Sequence, residues 1–405
     1  MSMKFSISTL GCKVNQYDSQ RIREGLCAQG HTEVIFGMKG DAPGMIIINT
    51  CTVTHRSDAE GRKLMRRALG TSARVIVTGC QAVVYKDDIR AVSPRLEIVE
   101  PGDIEEYLGI RLPDGISFFH GHCRAFVKIQ QGCDNYCSYC IIPFTRGRPV
   151  SRDPGAIMDE INLLYNNGYN EVVLTGINIG LYEGGLASLI EQILEDTDIP
   201  RIRISSMEPW TLEDRVIGLV ADNERVCMHL HLSLQSGSDR ILRSMKRPYD
   251  TSFYKKLVHR ISSASKDIAI GTDIIAGFPG EDDEAFDAQM EFLEGLDLSY
   301  MHVFCFSQRR FTAAATMEAQ VAAKTKKTRS ARLRALSADK RRRFILSQVG
   351  FEHELVITGS QGATFQGLTS NYMDVFFAGD FSKGSMVRVK IDFFRDGRAQ
   401  GTACG

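Results

Sequence analysis

Short apolar runs alternate with amphipathic stretches through the first hundred residues. Phe5–Leu10, Met45–Asn49 and Arg74–Thr78 are rich in Ile and Val and read as strands. Apolar positions at helical spacing follow each of them, over Gln16–Ala28, His55–Leu69 and Gln81–Ala91. This β-α-β-α order predicts βαβ units and a parallel sheet, whose ligands sit beyond the carboxyl ends of the strands. Each of the three strands also runs into a cysteine: Cys12, Cys51 and Cys80. A single such cysteine is ordinarily a small buried hydrophobe. Three in matching positions predict a shared metal or cluster site at one sheet edge.

A second pattern begins at Ala125. Candidate strands are Ala125–Ile129, Glu171–Leu174, Arg201–Ile204, His229–Leu234, Ala269–Ile275 and Tyr300–Phe306, with amphipathic helices such as "DPGAIMDEINLLYNNG" and "DEAFDAQMEFLEGL" between them. Repeated βα units of this length predict an open or partial barrel, with its active site at the strand carboxyl ends. Lys324–Arg343 then holds ten Lys or Arg and one Asp and reads as a basic helix. Five short strand-like runs close the chain, "HELVIT" to "RAQGTAC", and suggest a small antiparallel β-barrel of OB-like size. The fold class is thus α/β, with expected domains at 1–112, 124–322 and 348–405 and a basic helical linker at 323–347.

Composition narrows the function classes. The 405 residues are 43% hydrophobic and 24% charged, as in ordinary globular proteins. No apolar run approaches a membrane span and the N-terminus enters a strand directly, so a cytoplasmic protein with no membrane partner is expected. Eleven cysteines in a reducing compartment point to metal binding or catalysis. Formal net charge is zero, so any nucleic-acid binding must rest on local patches such as the basic helix, whose plainer reading is a solvated face.

The densest signal is "GCDNYCSYCIIPFTRGR". Cys133, Cys137 and Cys140 form C-x3-C-x2-C directly after the first barrel strand. Three thiolates suit a four-iron cluster with one open iron. Zinc, with His120, His122 or Cys123 as a fourth ligand, is the alternative. With Tyr139 before the last cysteine, this motif resembles the radical S-adenosylmethionine (SAM) superfamily. The strand-end cysteines narrow the resemblance to its methylthiotransferases, which have a three-cysteine domain, a radical SAM barrel and a C-terminal TRAM β-barrel. "TLGCKVNQYDS" is most like the branch acting on threonylcarbamoyl-adenosine in tRNA. "TGINIG", "SSMEP", "HLSLQSGSDRILRSMKR" and "GTDIIAGFPGE" also match.

The resemblance implies two [4Fe-4S] clusters and SAM. Cys133, Cys137 and Cys140 would hold the cluster that binds SAM and yields a 5′-deoxyadenosyl radical. Cys12, Cys51 and Cys80 would hold an auxiliary cluster carrying the sulfur. Tyr139, Thr175, Gly176, Asn178, Ser206, Glu208, Gln235, Gly277 and Phe278 are the candidate SAM-pocket residues, although any of them is also an ordinary βα-turn residue. Lys326, Lys327, Arg341 and Arg342 are candidate RNA contacts, and Phe365, Tyr372, Phe376 and Phe377 could stack bases if exposed. The implied partners are tRNA and an electron donor of the flavodoxin or ferredoxin type; the sulfur donor stays unassigned. Other readings are a methylthiotransferase acting on a ribosomal-protein aspartate or on isopentenyladenosine tRNA, and a non-catalytic iron–sulfur RNA-binding protein. Cys27 (on a helix facing the first core), Cys123, Cys227, Cys305 and Cys404 read as plain thiols. Where the family usually has S-x-R-P-G-T-x-A, this chain has "SQRRFTAAA", with Arg310 and Phe311 in place of Pro and Gly.

Overall fold

The computed structural model describes residues 2–38 and 42–404. The chain divides into two compact units. The first joins Met1–His120 with Gln131–Pro149 and Ser307–Ala315; the second comprises Gly121–Gln130, Val150–Phe306 and Thr316–Gly405.

The first unit is built on a parallel five-stranded sheet of order β2-β1-β3-β4-β5. Its strands are β1 (Lys4–Thr9), β2 (Thr32–Glu33), β3 (Met45–Thr50), β4 (Arg74–Gly79) and β5 (Leu96–Ile98). The central strand β3 is buried along its whole length because both faces are covered, which explains its unbroken apolar run. Ile47 packs with Ile22 and Leu26 of helix α1 (Lys13–Ala28), while Ile46 and Ile48 pack with Met65 and Ala68 of α2 (His55–Leu69). Cys27, one position beyond Leu26, is exposed rather than turned to this core. The helix expected over Gln81–Ala91 is two pieces, α3 (Cys80–Val84) and α4 (Lys86–Arg90), parted at Tyr85. The β-branched pair Val83–Val84 before the break lowers helix propensity there. Short α5 (Ile104–Leu108) completes the α/β repeat, and α6 (Ile142–Arg146) lies in the inserted segment.

After β6 (Ala125–Lys128) comes the two-residue β7 (Gln130–Gln131), whose second residue belongs to the first unit; the second unit continues with β8 (Val150–Ser151), β9 (Glu171–Thr175), β10 (Arg201–Ile204), β11 (His229–His231), β12 (Ala269–Ala276) and β13 (Tyr300–Cys305). Strands β6, β9 and β10 pair in parallel, as do β11, β12 and β13. Parallel bridges Ile202–Val226 and Met207–Leu232 join the two halves into a partial barrel. Helices α7 (Pro154–Asn166), α8 (Leu186–Asp196), α9 (Asp214–Asp222), α10 (Asp239–Ser244), α11 (Thr251–Ala264) and α12 (Asp283–Glu294) supply the crossovers. Strands β14 (Glu352–Gln361), β15 (Thr364–Thr369), β16 (Asp374–Ala378), β17 (Met386–Arg395) and β18 (Arg398–Ala403) close a small barrel of order β14-β15-β16-β18-β17.

The basic helix α13 (Ala323–Ser347) packs along β13 instead of standing clear in solvent. Leu333 is fully buried on it, and Ser337 exchanges hydrogen bonds with the backbone of Met301 at 2.8 and 2.9 Å. Two of its cations are also buried. Arg329 pairs with Glu281 and Asp283, and Lys340 donates to the carbonyls of Glu294 and Leu296.

One carboxylate organises the amino ends of the barrel strands. Glu171, fully buried, pairs with Arg203 at 2.7 Å, Arg201 at 2.9 Å and Arg124 at 3.1 Å. The same two barrel arginines donate to the carbonyls of Leu368, Thr369 and Ser370 in the small barrel. Burial alone would raise the Glu171 pKa, but Arg203, Arg201 and Arg124 overcome it and hold it at about 2. Its contribution to stability is therefore complete above the ordinary value of 4.5 and fades as pH falls toward 2. Glu171→Gln strands buried guanidinium charge and should cost about 3–5 kcal/mol. A urea midpoint close to that of the wild type would show that the carbonyl acceptors suffice.

Candidate functional site

Each of the three strand-end cysteines of the first unit stands where a strand gives way to a helix. Cys12 is the residue before α1, with extended backbone (φ −77°, ψ 173°). Cys80 opens α3, and Cys51 lies just ahead of α2, whose cap Thr54 accepts from the Ser57 amide at 3.2 Å. Helix amino ends are electropositive and favour thiolates. The turns are tight. A Cβ on Gly11, at φ +103°, would lie 2.5 Å from the Cys51 Cβ, and one on Gly79, at φ +88°, would lie 2.3 Å from Asn49 Oδ1. Only glycine brings the strand ends this close.

A buried polar lattice fixes that edge. Asn15 donates to the carbonyls of Leu10 at 2.8 Å and Thr50 at 2.9 Å, tying the ends of β1 and β3. Asn49 donates to the Asn15 carbonyl, and Thr50 to the Thr78 carbonyl on β4. Burial pushes the Cys51 thiol up to about 11, with Cys80 and Cys12 adding to the shift. Cys12 is exposed at the rim yet is also raised, first by the protein around it and then by Cys80. Cys51 and Cys12 thus both lie within electrostatic reach of Cys80. As thiolates they need a shared cationic group, and an iron–sulfur cluster fits that requirement.

The C-x3-C-x2-C loop belongs to the same unit. Cys133 donates its amide to the Gly147 carbonyl at 3.0 Å, and Cys140 to the Cys137 carbonyl at 3.0 Å. Gly132, at φ +80°, lets the loop pass the Arg148 carbonyl, 2.0 Å from where a Cβ would stand. Tyr139 lies within this loop, half-buried. Past the last cysteine, Arg146 is buried and donates to Asp18 at 2.7 Å and to Asn15 Oδ1. Burial opposes its charge, but Asp18, Cys80 and Cys12 raise its pKa above the ordinary value. One guanidinium therefore ties the loop after the second cysteine set to the edge that carries the first. Nothing in the sequence distinguished Arg146 or Asn15 beyond their closeness to cysteines.

The segment Ser307–Ala315 also belongs to this unit. Arg309 is buried, paired with Asp58 at 2.5 Å and donating to the Thr52 carbonyl at 3.2 Å. The Ala314 amide donates to the Ser138 carbonyl at 2.7 Å, so both ends of the segment are held at cysteine-bearing stretches.

In the second unit the other candidate pocket residues fall at successive strand carboxyl ends. Thr175, Gly176 and Asn178 follow β9, where Gln130 Oε1 accepts from the Asn178 amide at 2.9 Å. A Cβ on Gly176 would meet Ile179 at 2.8 Å. Ser206 is exposed after β10. Glu208 is engaged by Arg247, which also lies 4.8 Å from the Trp210 ring centre. Gln235, at φ +72°, is bridged to β12 through the carbonyl of Asp273 and the amide of Ile275. Gly277, at φ +75°, admits the Lys326 stem, with a Cβ only 2.4 Å from its Cγ. Phe278 is fully buried, edge-on to Phe306 at 5.4 Å, and packs as core.

A histidine–carboxylate group in this unit escaped the sequence reading. His231, Asp273 and His302 sit on β11, β12 and β13 with their ligating atoms all within 4.8 Å. Asp273 Oδ1 is 3.5 Å from each histidine, and its Oδ2 accepts from Ser233 at 3.0 Å. Burial raises the Asp273 pKa less than the two histidines and Ser233 lower it. The group's signal was the cross-strand register, since Asp273 and His302 are direct partners.

The candidate RNA residues divide. Lys327 and Arg342 are exposed. Lys326 instead lies 4.9 Å from the Phe306 ring centre, and burial lowers its pKa; Arg341 donates to the Tyr372 carbonyl at 3.3 Å. Among the barrel aromatics, Phe365 and Phe377 are core, and Tyr372 stacks on His229 at 4.3 Å. Phe376 keeps partial exposure beneath Arg398.

Comparison with known proteins fits this arrangement. Residues 127–293 match the Radical SAM superfamily, and residues 4–100 match a family described as Uncharacterized protein family UPF0004. The threonylcarbamoyladenosine tRNA methylthiotransferase MtaB of Aquifex aeolicus (strain VF5) is 33% identical over 418 residues, covering 96% of this chain and all of the relative. A tRNA-2-methylthio-N(6)-dimethylallyladenosine synthase of Erythrobacter litoralis (strain HTCC2594) is 29% identical over 422 residues, covering 96% of this chain and 94% of the relative. Among solved structures, a radical S-adenosylmethionine methyltransferase, TsrM, from Kitasatospora setae shares the fold. Its TM-score is 0.55 at 14% identity, over 78% of this chain and 77% of that one.

Replacing Arg146 by Met leaves Asp18 facing a buried apolar group. The loss should be about 3 kcal/mol of folding stability, read by anaerobic urea denaturation. Arg146→Lys should recover part of it by keeping the charge without the fork. An unchanged midpoint for the Met variant would mean that Asp18 draws its stabilisation from elsewhere.

Proposed function

The chain belongs to the radical SAM tRNA methylthiotransferases, and we propose that it transfers a methylthio group to carbon 2 of N6-threonylcarbamoyladenosine next to the anticodon of tRNA. The proposal is supported by all six motif cysteines falling in one compact unit, where Arg146, on the segment after Cys140, bonds Asp18 and Asn15 on the helix that follows Cys12. The match to a threonylcarbamoyladenosine relative along that protein's whole length supports the choice of substrate.

When bound, the iron–sulfur clusters and SAM supply the electron transfer, the hydrogen removal and the sulfur and methyl groups. The residues supply placement. Cys133, Cys137 and Cys140 would hold one cluster, on a loop pinned by Gly132 and the Gly147 carbonyl. Cys12, Cys51 and Cys80 would hold the other, with helix amino ends and Arg146 offsetting its negative charge. Thr175, Gly176, Asn178, Ser206 and Gln235 offer polar atoms and close backbone for SAM at the strand ends. In this reading Glu208 acts through its pair with Arg247. Lys327 and Arg342 would contact phosphates, which position RNA without reading its sequence. A flavodoxin- or ferredoxin-type protein is the proposed electron donor.

Anaerobically reconstituted protein should carry about eight irons per chain, and about half of them after Cys133, Cys137 and Cys140 are all changed to Ala. Complete loss of iron from a folded triple variant would exclude two separate sites. The substrate is tested by nucleoside mass spectrometry of tRNA from a deletion strain, with and without this chain restored. The expected result is return of the methylthio form of threonylcarbamoyladenosine. Return of only the isopentenyladenosine product would move the chain to the other branch, and methylthiolation of a ribosomal protein would remove tRNA from the proposal.

A further inference from the structure

Phe311 sits in left-handed backbone, at φ +73°. That conformation is costly for a bulky side chain. The ring is 61% exposed, so core packing gives little in return. A strained residue that buries little points to a role outside folding.

Its neighbours give that role a shape. Phe311 stacks on Tyr85 at 6.4 Å and lies against Phe144 at 6.5 Å, which meets Tyr136 edge-on at 6.2 Å. Tyr136 is 54% exposed and Phe144 45% exposed, and Tyr136 is also in left-handed backbone, at φ +45°. Arg310 lies 4.4 Å from the Tyr85 ring centre and pairs with Asp88. These rings come from the segments that carry the cysteines. Tyr85 follows Cys80, Tyr136 lies between Cys133 and Cys137, and Phe144 follows Cys140. The Arg309–Asp58 pair and the Ala314–Ser138 hydrogen bond fix the segment that presents Phe311.

We propose that Tyr136, Phe144 and Phe311, with Arg310 beside them, form a stacking platform for an unpaired RNA base adjacent to the adenosine that is modified. The inference rests on the tRNA reading above and names where that RNA is gripped. Exposed aromatic faces accept any base, and an arginine adds a cationic contact to base and phosphate. Unpaired loop bases are the part of RNA that can be splayed onto such a surface. The contacts of Arg309 and Ala314 hold the backbone that presents Phe311 in place before RNA arrives, which lowers the ordering cost of binding.

The test uses reconstituted holoenzyme and an anticodon stem-loop that carries threonylcarbamoyl-adenosine, with 2-aminopurine at the adjoining unpaired position. Stacking should quench 2-aminopurine fluorescence on binding. Phe311→Gly accepts the same φ without strain, so its melting temperature should match or exceed that of the wild type. The variant should lose the quench and raise KM for the stem-loop roughly 5- to 100-fold, with kcat much less affected. Phe311→Trp should restore the quench. If Phe311→Gly binds and quenches like a wild type that methylthiolates the RNA, the platform is wrong and the tRNA reading stands. If the wild type neither binds nor modifies the stem-loop, both fall.

Discussion

Parallel strands that end at one edge of a single sheet set the geometry on which the rest depends. β1, β3 and β4 point the same way, so their last residues meet. The following helices start there and bring amide-rich, electropositive ends to the same place. Three cysteines thus stand at equivalent positions, each where a strand gives way to a helix. Gly11 and Gly79 allow the close approach, and Asn15 and Thr50 join the strand ends by hydrogen bonds.

Two buried guanidinium groups extend that edge to distant parts of the sequence. Arg146 reaches Asp18 and Asn15 from the cysteine-motif segment, and Arg309 reaches Asp58 from the segment after β13. A buried ion pair is not in itself strong evidence of stabilisation, since desolvation offsets much of the attraction. Its directional value is clearer. A planar fork on a fixed carboxylate fixes the position of the segment that bears it. The second unit uses Glu171 in the same manner, to join barrel strands and small-barrel carbonyls.

Much of this was legible in the sequence. Hydrophobic periodicity located every principal strand to within a few residues, because burial on a sheet or helix face dictates which positions are apolar. The same periodicity put Cys12, Cys51 and Cys80 just beyond or at the ends of β1, β3 and β4. What escaped was set by tertiary neighbours. Helix α13 reads as a solvated basic face, yet Arg329 and Lys340 are buried, because acceptors on other elements meet them. Cys27 looked apolar and inward, but adjacent Leu26 takes the core. Arg146 and the His231–Asp273–His302 group have no local pattern; they exist through pairings distant in sequence.

The strand edges themselves carry a consequence. The five-stranded sheet ends in β2 and β5, of two and three residues, and the small β-barrel closes on itself through β16 and β18. Short or closed edges offer little unpaired backbone for another chain to join. The closed barrel leaves no such edge, whereas β2 covers only Lys4 and Phe5 of β1 and so caps just the start of that strand.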